Sequence, residues 1–255
     1  MSDNDFYIGY LPKSPESQGR FTKRIVIVLI LLVIALVSAL IFGQERLPAA
    51  NFEFGTIRHF EGTIEFSPYP TLVATESRYL LAAPGKHGAD QLVRDFTGKN
   101  VSLDAKRIFR DGRTMLEVMP GSVKNAGGPS SPAPLDVELG NVSLIGEIVD
   151  SKCYTGVMNP GRGKVHRDCA ARCISGGIPP LLLAKNAQGE AELYQLAADD
   201  GKPLRKEILP MVAQPLTIEG KAFRRGNTLL LYAEKITPIA EATVRGWSCP
   251  RHRSN

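Results

Sequence analysis

The chain opens with one long apolar run and then settles into short alternating segments. From Ile25 to Phe42 it reads IVIVLILLVIALVSALIF, eighteen residues with no charge and a single serine. A helix of that length rises roughly 27 Å, close to the hydrocarbon thickness of a bilayer, so a transmembrane helix is predicted over 25–42. Further on, Val101-Ser-Leu-Asp-Ala105 and Leu216-Thr-Ile-Glu-Gly220 put an apolar side chain at every second position, as half-buried strands do. A basic turn follows each, Arg110-Asp-Gly-Arg113 and Arg224-Arg-Gly-Asn227. Each turn leads into a second apolar strand, Thr114–Val118 or Thr228–Tyr232.

These two hairpins superpose without a gap at an offset of 115 residues. Their domain openings also match, Gly62-Thr-Ile64 with Gly146-Glu-Ile148 and Ser67 with Ser151, at an offset of 84. The 31-residue difference is extra chain inside the second copy, and two copies of one β-fold imply duplication. Asn125-Ala-Gly-Gly-Pro-Ser-Ser-Pro-Ala-Pro134 carries three prolines and two glycines with no hydrophobic period, which predicts a linker over 125–138. The expected order is a polar tail (1–24), the membrane helix (25–42), a first β-domain (50–124), the linker, a second β-domain (139–240) and a basic tail (241–255). The fold class is mainly β: two small OB-like barrels or sandwiches behind one membrane helix, the second bearing a short Cys/His helix.

Composition removes several alternatives. Apolar residues at 43% and charged residues at 22% exclude wholesale disorder. A net charge of +5 spread along 255 residues gives no focused basic surface, so no nucleic-acid partner is expected. Arg20, Lys23 and Arg24 precede the apolar run, whereas Glu45 and Arg46 after it cancel. The positive-inside rule then predicts a single-pass protein of the bacterial inner membrane, N-terminus cytoplasmic and the bulk of the chain periplasmic. A cleaved signal peptide is the rival, with Val37-Ser38-Ala39 as small residues at the right place. The apolar run is longer than an ordinary signal core and its leader is long, which favours a retained anchor.

Four cysteines are too few for a disulfide-dense scaffold, but three of them cluster. Cys153 ends a predicted strand. Val165 to Ile174 is predicted helical, stopped by Gly176-Gly177 and Pro179-Pro180. On that helix His166, Cys169 and Cys173 share one face, and the strand end can bring Cys153 to them. Three thiolates and an imidazole suit zinc or copper(I), with Asp150 placed to orient His166. Two other readings stand beside metal binding. Cys153 can form a disulfide with Cys169 or Cys173, with Cys249 as a fourth partner, which an oxidising exterior favours. A thiol redox couple can use Cys169 or Cys173, with Arg172 and His166 lowering a thiol pKa. The first half has no cysteine and places Tyr69 where the second has Cys153, so it is read as a packing or docking domain.

The pattern G-x-(I/V)-x-D-S-x-C followed by C-x-x-x-C-x-x-G-x-x-P rests on Gly146, Ile148, Asp150, Ser151, Cys153, Cys169, Cys173, Gly176 and Pro179. Over residues 142–236 it resembles a widespread family of small exported bacterial domains with an OB-like β-fold. That resemblance implies fold and compartment and carries no activity with it. This chain departs from the pattern through His166 in a longer loop, the doubled proline and the extra N-terminal half. No H-E-x-x-H, phosphate-binding loop, G-x-S-x-G or dinucleotide fingerprint occurs. The expected role is therefore non-catalytic: an accessory, assembly or metal-handling component of an envelope membrane complex, respiratory complexes included. The alternatives are a periplasmic thiol oxidoreductase and an interaction module stapled by disulfides.

Overall fold

The alternation expected at Val101–Ala105 is the inside–outside alternation of a barrel strand. Val101, Leu103 and Ala105 are fully buried, and the residues between them face outward. The computed structural model describes residues 16–43, 49–75, 77–130, 135–186 and 190–239. The first barrel contains β2 (Arg58–Phe66), β3 (Pro70–Val73), β4 (Arg78–Ala82), β5 (Asn100–Arg110) and β6 (Arg113–Val118). They close in the order β2-β3-β4-β6-β5 and back to β2, with β4 and β6 parallel. Two short strands, β1 (Ala50–Phe52) and β7 (Lys124–Asn125), lie against β5. The second barrel contains β8 (Asp136–Asp150), β9 (Pro180–Lys185), β10 (Ala191–Ala198), β11 (Leu216–Arg225) and β12 (Thr228–Pro238). It closes as β8-β9-β10-β12-β11, the same circuit with the same parallel pair. Both are five-stranded OB-like barrels.

Register shows that the duplication holds position by position. Gly62 pairs with Val101 and Gly146 with Leu216; Leu81 pairs with Leu116 and Leu196 with Leu231. The offset is 84 on the first strand, 110 on the second and 115 from the third onward. Twenty-six of the 31 extra residues therefore enter between β8 and β9, and the other five lengthen the β9–β10 turn. The cores correspond likewise: Ile64, Leu72, Leu81, Val93, Leu103 and Leu116 answer to Ile148, Leu182, Leu196, Ile208, Ile218 and Leu231. All twelve are fully buried aliphatics, each worth about 1.5–3 kcal/mol of transfer free energy. Gly62 and Gly146 are equivalent for a steric reason. A Cβ on either would lie 2.4 Å from a carbonyl oxygen of the next strand, Val73 or Leu183, so only glycine permits that approach.

The two barrels form one compact unit and meet as a pseudo-two-fold pair. Asp90 and Arg205, equivalent positions at the 115 offset, bond directly to each other at 2.8 Å. Arg110 at the end of β5 grips the carbonyls of Met158 and Pro160 in the second barrel's first connection. Its counterpart Arg225 at the end of β11 reaches the Ser67 carbonyl in the first barrel's equivalent connection. Tyr69, fully buried, crosses the seam to exchange hydrogen bonds with the backbone of Leu204. The first half thus serves as packing surface for the second. Of the segment read as a linker, Lys124–Asn125 pairs with β5 and strand resumes at Asp136; residues 131–134 lie outside the description.

The N-terminal unit is a single helix, α1 (Glu16–Gly43), long and apolar enough to cross a membrane, with no part of its apolar window buried by protein. It begins at Glu16 rather than Ile25, so Arg20, Lys23 and Arg24 are helical instead of part of a loose tail. Long basic side chains at a helix end can keep their charges in water while their stems cover apolar surface, so the charged flank does not stop the helix. The rest of the expected tail, residues 1–15, lies outside the described residues, as does the basic tail from 241.

The buried ion pair between Lys152 and Glu117 joins the barrels at 2.6 Å. Removing Lys152 leaves the buried Glu117 carboxylate with Lys106, at 3.3 Å, as its remaining cation. Lys152→Ala should therefore cost about 3 kcal/mol of unfolding free energy in the detergent-solubilised chain, the low end of what breaking a buried pair costs. Arg205→Ala, at a more exposed pair, should cost no more than about 1 kcal/mol. Equal losses in the two variants would contradict this account of the seam.

Candidate metal centre

The cysteine-bearing excursion leaves the second barrel where β8 ends, and Asp150-Ser-Lys-Cys153 does a different job at each charged or thiol residue. Asp150 is fully buried. Its Oδ1 accepts the Cys153 backbone N–H at 2.8 Å and its Oδ2 lies 3.1 Å from His166 Nε2. Ser151 N–H is tied to the Pro179 carbonyl, which holds the excursion's two ends together. Lys152 turns the other way and donates to the carbonyls of Ala83 and Gly85 in the first barrel, at 2.8 and 2.7 Å, besides pairing with Glu117. Cys153 starts an irregular helical turn over Cys153–Val157 and points its thiol at the helix that follows.

That helix is α2 (Arg167–Ser175), entered through a 3-10 turn over Lys164–His166. His166 therefore stands just before its first turn, slightly earlier than the predicted helix would place it, and the side chains still converge. Cys153 Sγ is 4.0 Å from Cys169 Sγ and 3.9 Å from Cys173 Sγ. Ligand atoms of Cys153, His166 and Cys169 lie within 4.8 Å of one another, as do those of Asp150, Cys153 and Cys173. The sequence-predicted ligands thus fall into two overlapping groups that share Cys153, one with His166 and Cys169 and one with Cys173 and Asp150; the four are not all within 4.8 Å of one another. Tetrahedral zinc with Zn–S near 2.3 Å requires sulfurs about 3.8 Å apart, close to the observed separations. With Nε2 engaged by Asp150, Nδ1 of His166 is the nitrogen left to ligate.

Among the described residues no disulfide is formed, and Cys153, Cys169 and Cys173 are free thiols. Neither Cys153–Cys169 nor Cys153–Cys173 is bonded, because the sulfurs stand at roughly twice the 2.03–2.05 Å of a disulfide. Cys249, the expected fourth partner, lies outside the described residues.

Two groups near the thiols were not legible in the sequence. Lys86, on the loop after β4 of the first barrel, places Nζ 2.8 Å from Cys169 Sγ and 3.9 Å from Cys173 Sγ. The loop is held close by the Gly88 N–H, which donates to the Gly176 carbonyl. A Cβ on Gly176 would meet the Lys86 carbonyl oxygen at 1.9 Å. Nothing local marks Lys86, which is 83 residues from Cys169 and belongs to the other barrel. Glu147 is the second group: it alternates outward on β8 and its Oε2 accepts the Gly163 N–H at 3.1 Å. That alternation with Asp150's neighbours was the available signal.

Electrostatics divides the thiols. Accepting a hydrogen bond from Cys153 holds the Cys173 thiol below its ordinary range, against the opposing effect of burial. Donating that bond, together with burial and the Asp150 charge, pushes Cys153 far up. Of the two, Cys173 is therefore the thiol that ionises first and Cys153 the one that holds its proton longest. The hydrogen bond to Cys169 raises Lys86, keeping its ammonium charged beside the sulfurs. Burial raises Glu147, opposed by Arg162, the Gly163 amide and His166. No protein-family model, curated protein or solved structure matches the chain.

Cys169 is half-buried, whereas Cys153 and Cys173 are buried. In metal-free, reduced protein iodoacetamide should modify Cys169 ahead of Cys153 and Cys173, and peptide mapping that finds either buried thiol labelled ahead of it would refute this geometry. Glu147 yields a pH signature. A carboxyl whose folded pKa lies above its unfolded value contributes stability below the ordinary carboxylate range and loses it as pH rises through the folded pKa. Glu147→Gln should therefore unfold at higher denaturant than the parent at neutral pH, with the gap closing near pH 4. A gap independent of pH would show that burial of the charge is not the cause.

Proposed function

We propose that this chain is a membrane-anchored accessory component of a bacterial inner-membrane complex, holding a soft metal ion in its periplasmic part. The ligands are Cys153, His166, Cys169 and Cys173, with Asp150 orienting the imidazole. The observation that carries the reading is the approach of the Cys153 thiol to both Cys169 and Cys173, at 4.0 and 3.9 Å, beside a histidine already fixed by a buried carboxylate. Structural metal sites fix their histidine in this way.

Charge favours zinc over copper(I). Three thiolates around a divalent ion leave one net negative charge, which the Lys86 ammonium at 2.8 Å offsets. A monovalent ion would leave two. The α1 helix supplies the anchor, and its basic N-terminal flank supports a cytoplasmic N-terminus. The resemblance of residues 142–236 to small exported bacterial domains supports the same compartment. Tethering keeps the barrels at high local concentration beside a membrane partner, which suits assembly or metal delivery better than turnover of a diffusing substrate. The shared proton between Cys153 and Cys173 favours one second reading, a thiol redox couple.

The test is elemental analysis of the full chain purified from membranes without chelator. About one zinc per chain is expected, lost in Cys153→Ser and His166→Ala. Asp150→Asn should keep the ligands but weaken zinc about 10–100-fold in competition with a chromophoric chelator. Metal-free protein whose thiols are paired at a potential well above about −300 mV would replace the metal reading with the redox one.

A further inference from the structure

The closest approach to the Cys169 sulfur comes from an amine of the other barrel rather than from a second thiol. Lys86 Nζ stands 2.8 Å from Cys169 Sγ, whereas Cys153 Sγ is 4.0 Å away. Charge-assisted N–H bonds to the smaller oxygen atom are about 2.7–2.9 Å long, so nitrogen and sulfur are pressed close here. The loop carrying Lys86 is held on both sides of it. The Gly85 carbonyl accepts from the buried Lys152 ammonium at 2.7 Å, and the Gly88 N–H donates to the Gly176 carbonyl at 3.0 Å. Lys86 is exposed and Cys169 half-buried, so a small dissolved oxidant has access to the pair.

The pairing belongs to one half of the duplication only. The bridge between Ala82 and Gly88 recurs between Ala197 and Pro203 at the 115 offset, so Lys86 answers to Gly201. The first barrel's own connection, Ser67–Tyr69, has no cysteine for such a loop to face. Amine and thiol thus occur together, one from each barrel, and neither occurs in the equivalent half. A thiol oxidised in place reacts with the nucleophile already beside it, and at Cys169 that nucleophile is the Lys86 amine. A direct N–S bond would need the two atoms to close far inside 2.8 Å, just as a disulfide would from 4.0 Å. One oxygen atom placed between nitrogen and sulfur spans nearly the separation already present.

We propose that Lys86 and Cys169 are a covalent modification site, joined through one oxygen atom as an N–O–S bridge when the metal-free chain meets dioxygen. One dioxygen is consumed per bridge. Its first oxygen bonds to Cys169 Sγ, and the O–O bond breaks as Lys86 Nζ attacks that same oxygen. The second oxygen leaves as water, with one proton from the thiol and one from the amine. Sulfur and nitrogen each give up two electrons, and each oxygen gains two. The bridge ties the first barrel to the second and takes Cys169 out of the ligand set. That consequence rests on the metal reading above; formation of the bridge does not.

The experiment uses the full chain in neutral detergent, stripped of metal by a chelator, freed of reductant under nitrogen and then divided between nitrogen and air. In air the intact mass should rise by one oxygen less two hydrogens, which neither a disulfide nor a sulfenic acid gives. Proteolysis should release the Lys86 peptide joined to the Cys169 peptide, and dithiothreitol should separate them. Cys153→Ser should still form the bridge. Lys86→Arg keeps a cation beside the sulfurs but has no amine to join, and should show no such mass. Zinc should bind the bridged chain about 100-fold or more weakly, since loss of a supporting partner alone costs about 10–100-fold, and reduction should restore it. An unchanged mass in air, the same gain in Lys86→Arg, Cys169 recovered joined to another cysteine, or zinc affinity indifferent to the bridge would overturn the proposal. A chain that bridges in air yet holds no zinc under nitrogen would support the bridge and overturn the metal reading.

Discussion

A lysine ammonium with almost no exposure to water governs how this molecule is put together. Lys152 is satisfied only by groups of the other barrel: the Glu117 carboxylate and the carbonyls of Ala83 and Gly85. A buried ion pair of this kind adds little net stability over an apolar substitute, because desolvation offsets most of the attraction. Its effect is on specificity. Any docking of the barrels that misplaces Glu117 or the 83–85 loop strands a charge in the interior. Since Lys152 directly precedes Cys153, the same constraint fixes where the first thiol of the site sits. The loop that Lys152 grips is also the loop that delivers Lys86 to Cys169. The geometry of the Cys/His cluster is therefore a property of the docked pair of barrels, although all four proposed ligands belong to one.

Duplication explains how such an arrangement can arise. In an isologous pair each copy uses the same patch on the other, and the equivalent arginines Arg110 and Arg225 still do so through the first connection of the opposite barrel. Within one chain the two copies are free to diverge. The first barrel keeps a short connection whose Tyr69 hydroxyl plugs into the backbone of Leu204. The second expands the same connection into the Cys/His excursion. The chemistry thus occupies the part of the fold that crosses the seam, where insertion leaves the closed barrel and its twelve matched core residues untouched.

Much of this was legible because it is local or repeated. The offsets of 84 and 115 are the true register of the two barrels, since strand alternation cannot slip by one residue without turning a core face outward. His166, Cys169 and Cys173 were found because helical periodicity places them on one face, and Cys153 because a strand ends there. Lys86, Lys152 and Glu117 escaped because their partnership exists only across the docked seam, and no period within either half points to it. The expectation of a disulfide came from the chemistry of the compartment, whereas the spacing of the sulfurs is set by backbone anchors, Asp150 on Cys153 and the Cys173 carbonyl on Ile178.

Those anchors also bear on how the thiols can be used. Without a metal, the contact with Cys173, burial and the Asp150 charge push the Cys153 thiol up while the same contact draws Cys173 down, so Cys153 is the last of the pair to lose its proton. An ion accepted by the cluster would displace that proton, so affinity and pH are linked at this site. Disulfide formation would instead require the sulfurs to close to about half their present separation. The backbone around Cys153 is held by Asp150 on one side and, through Lys152, by the first barrel on the other. A metal draws on the spacing already present, whereas a disulfide must pull against both anchors, and this asymmetry is why the frame around the thiols is better suited to ligation than to exchange.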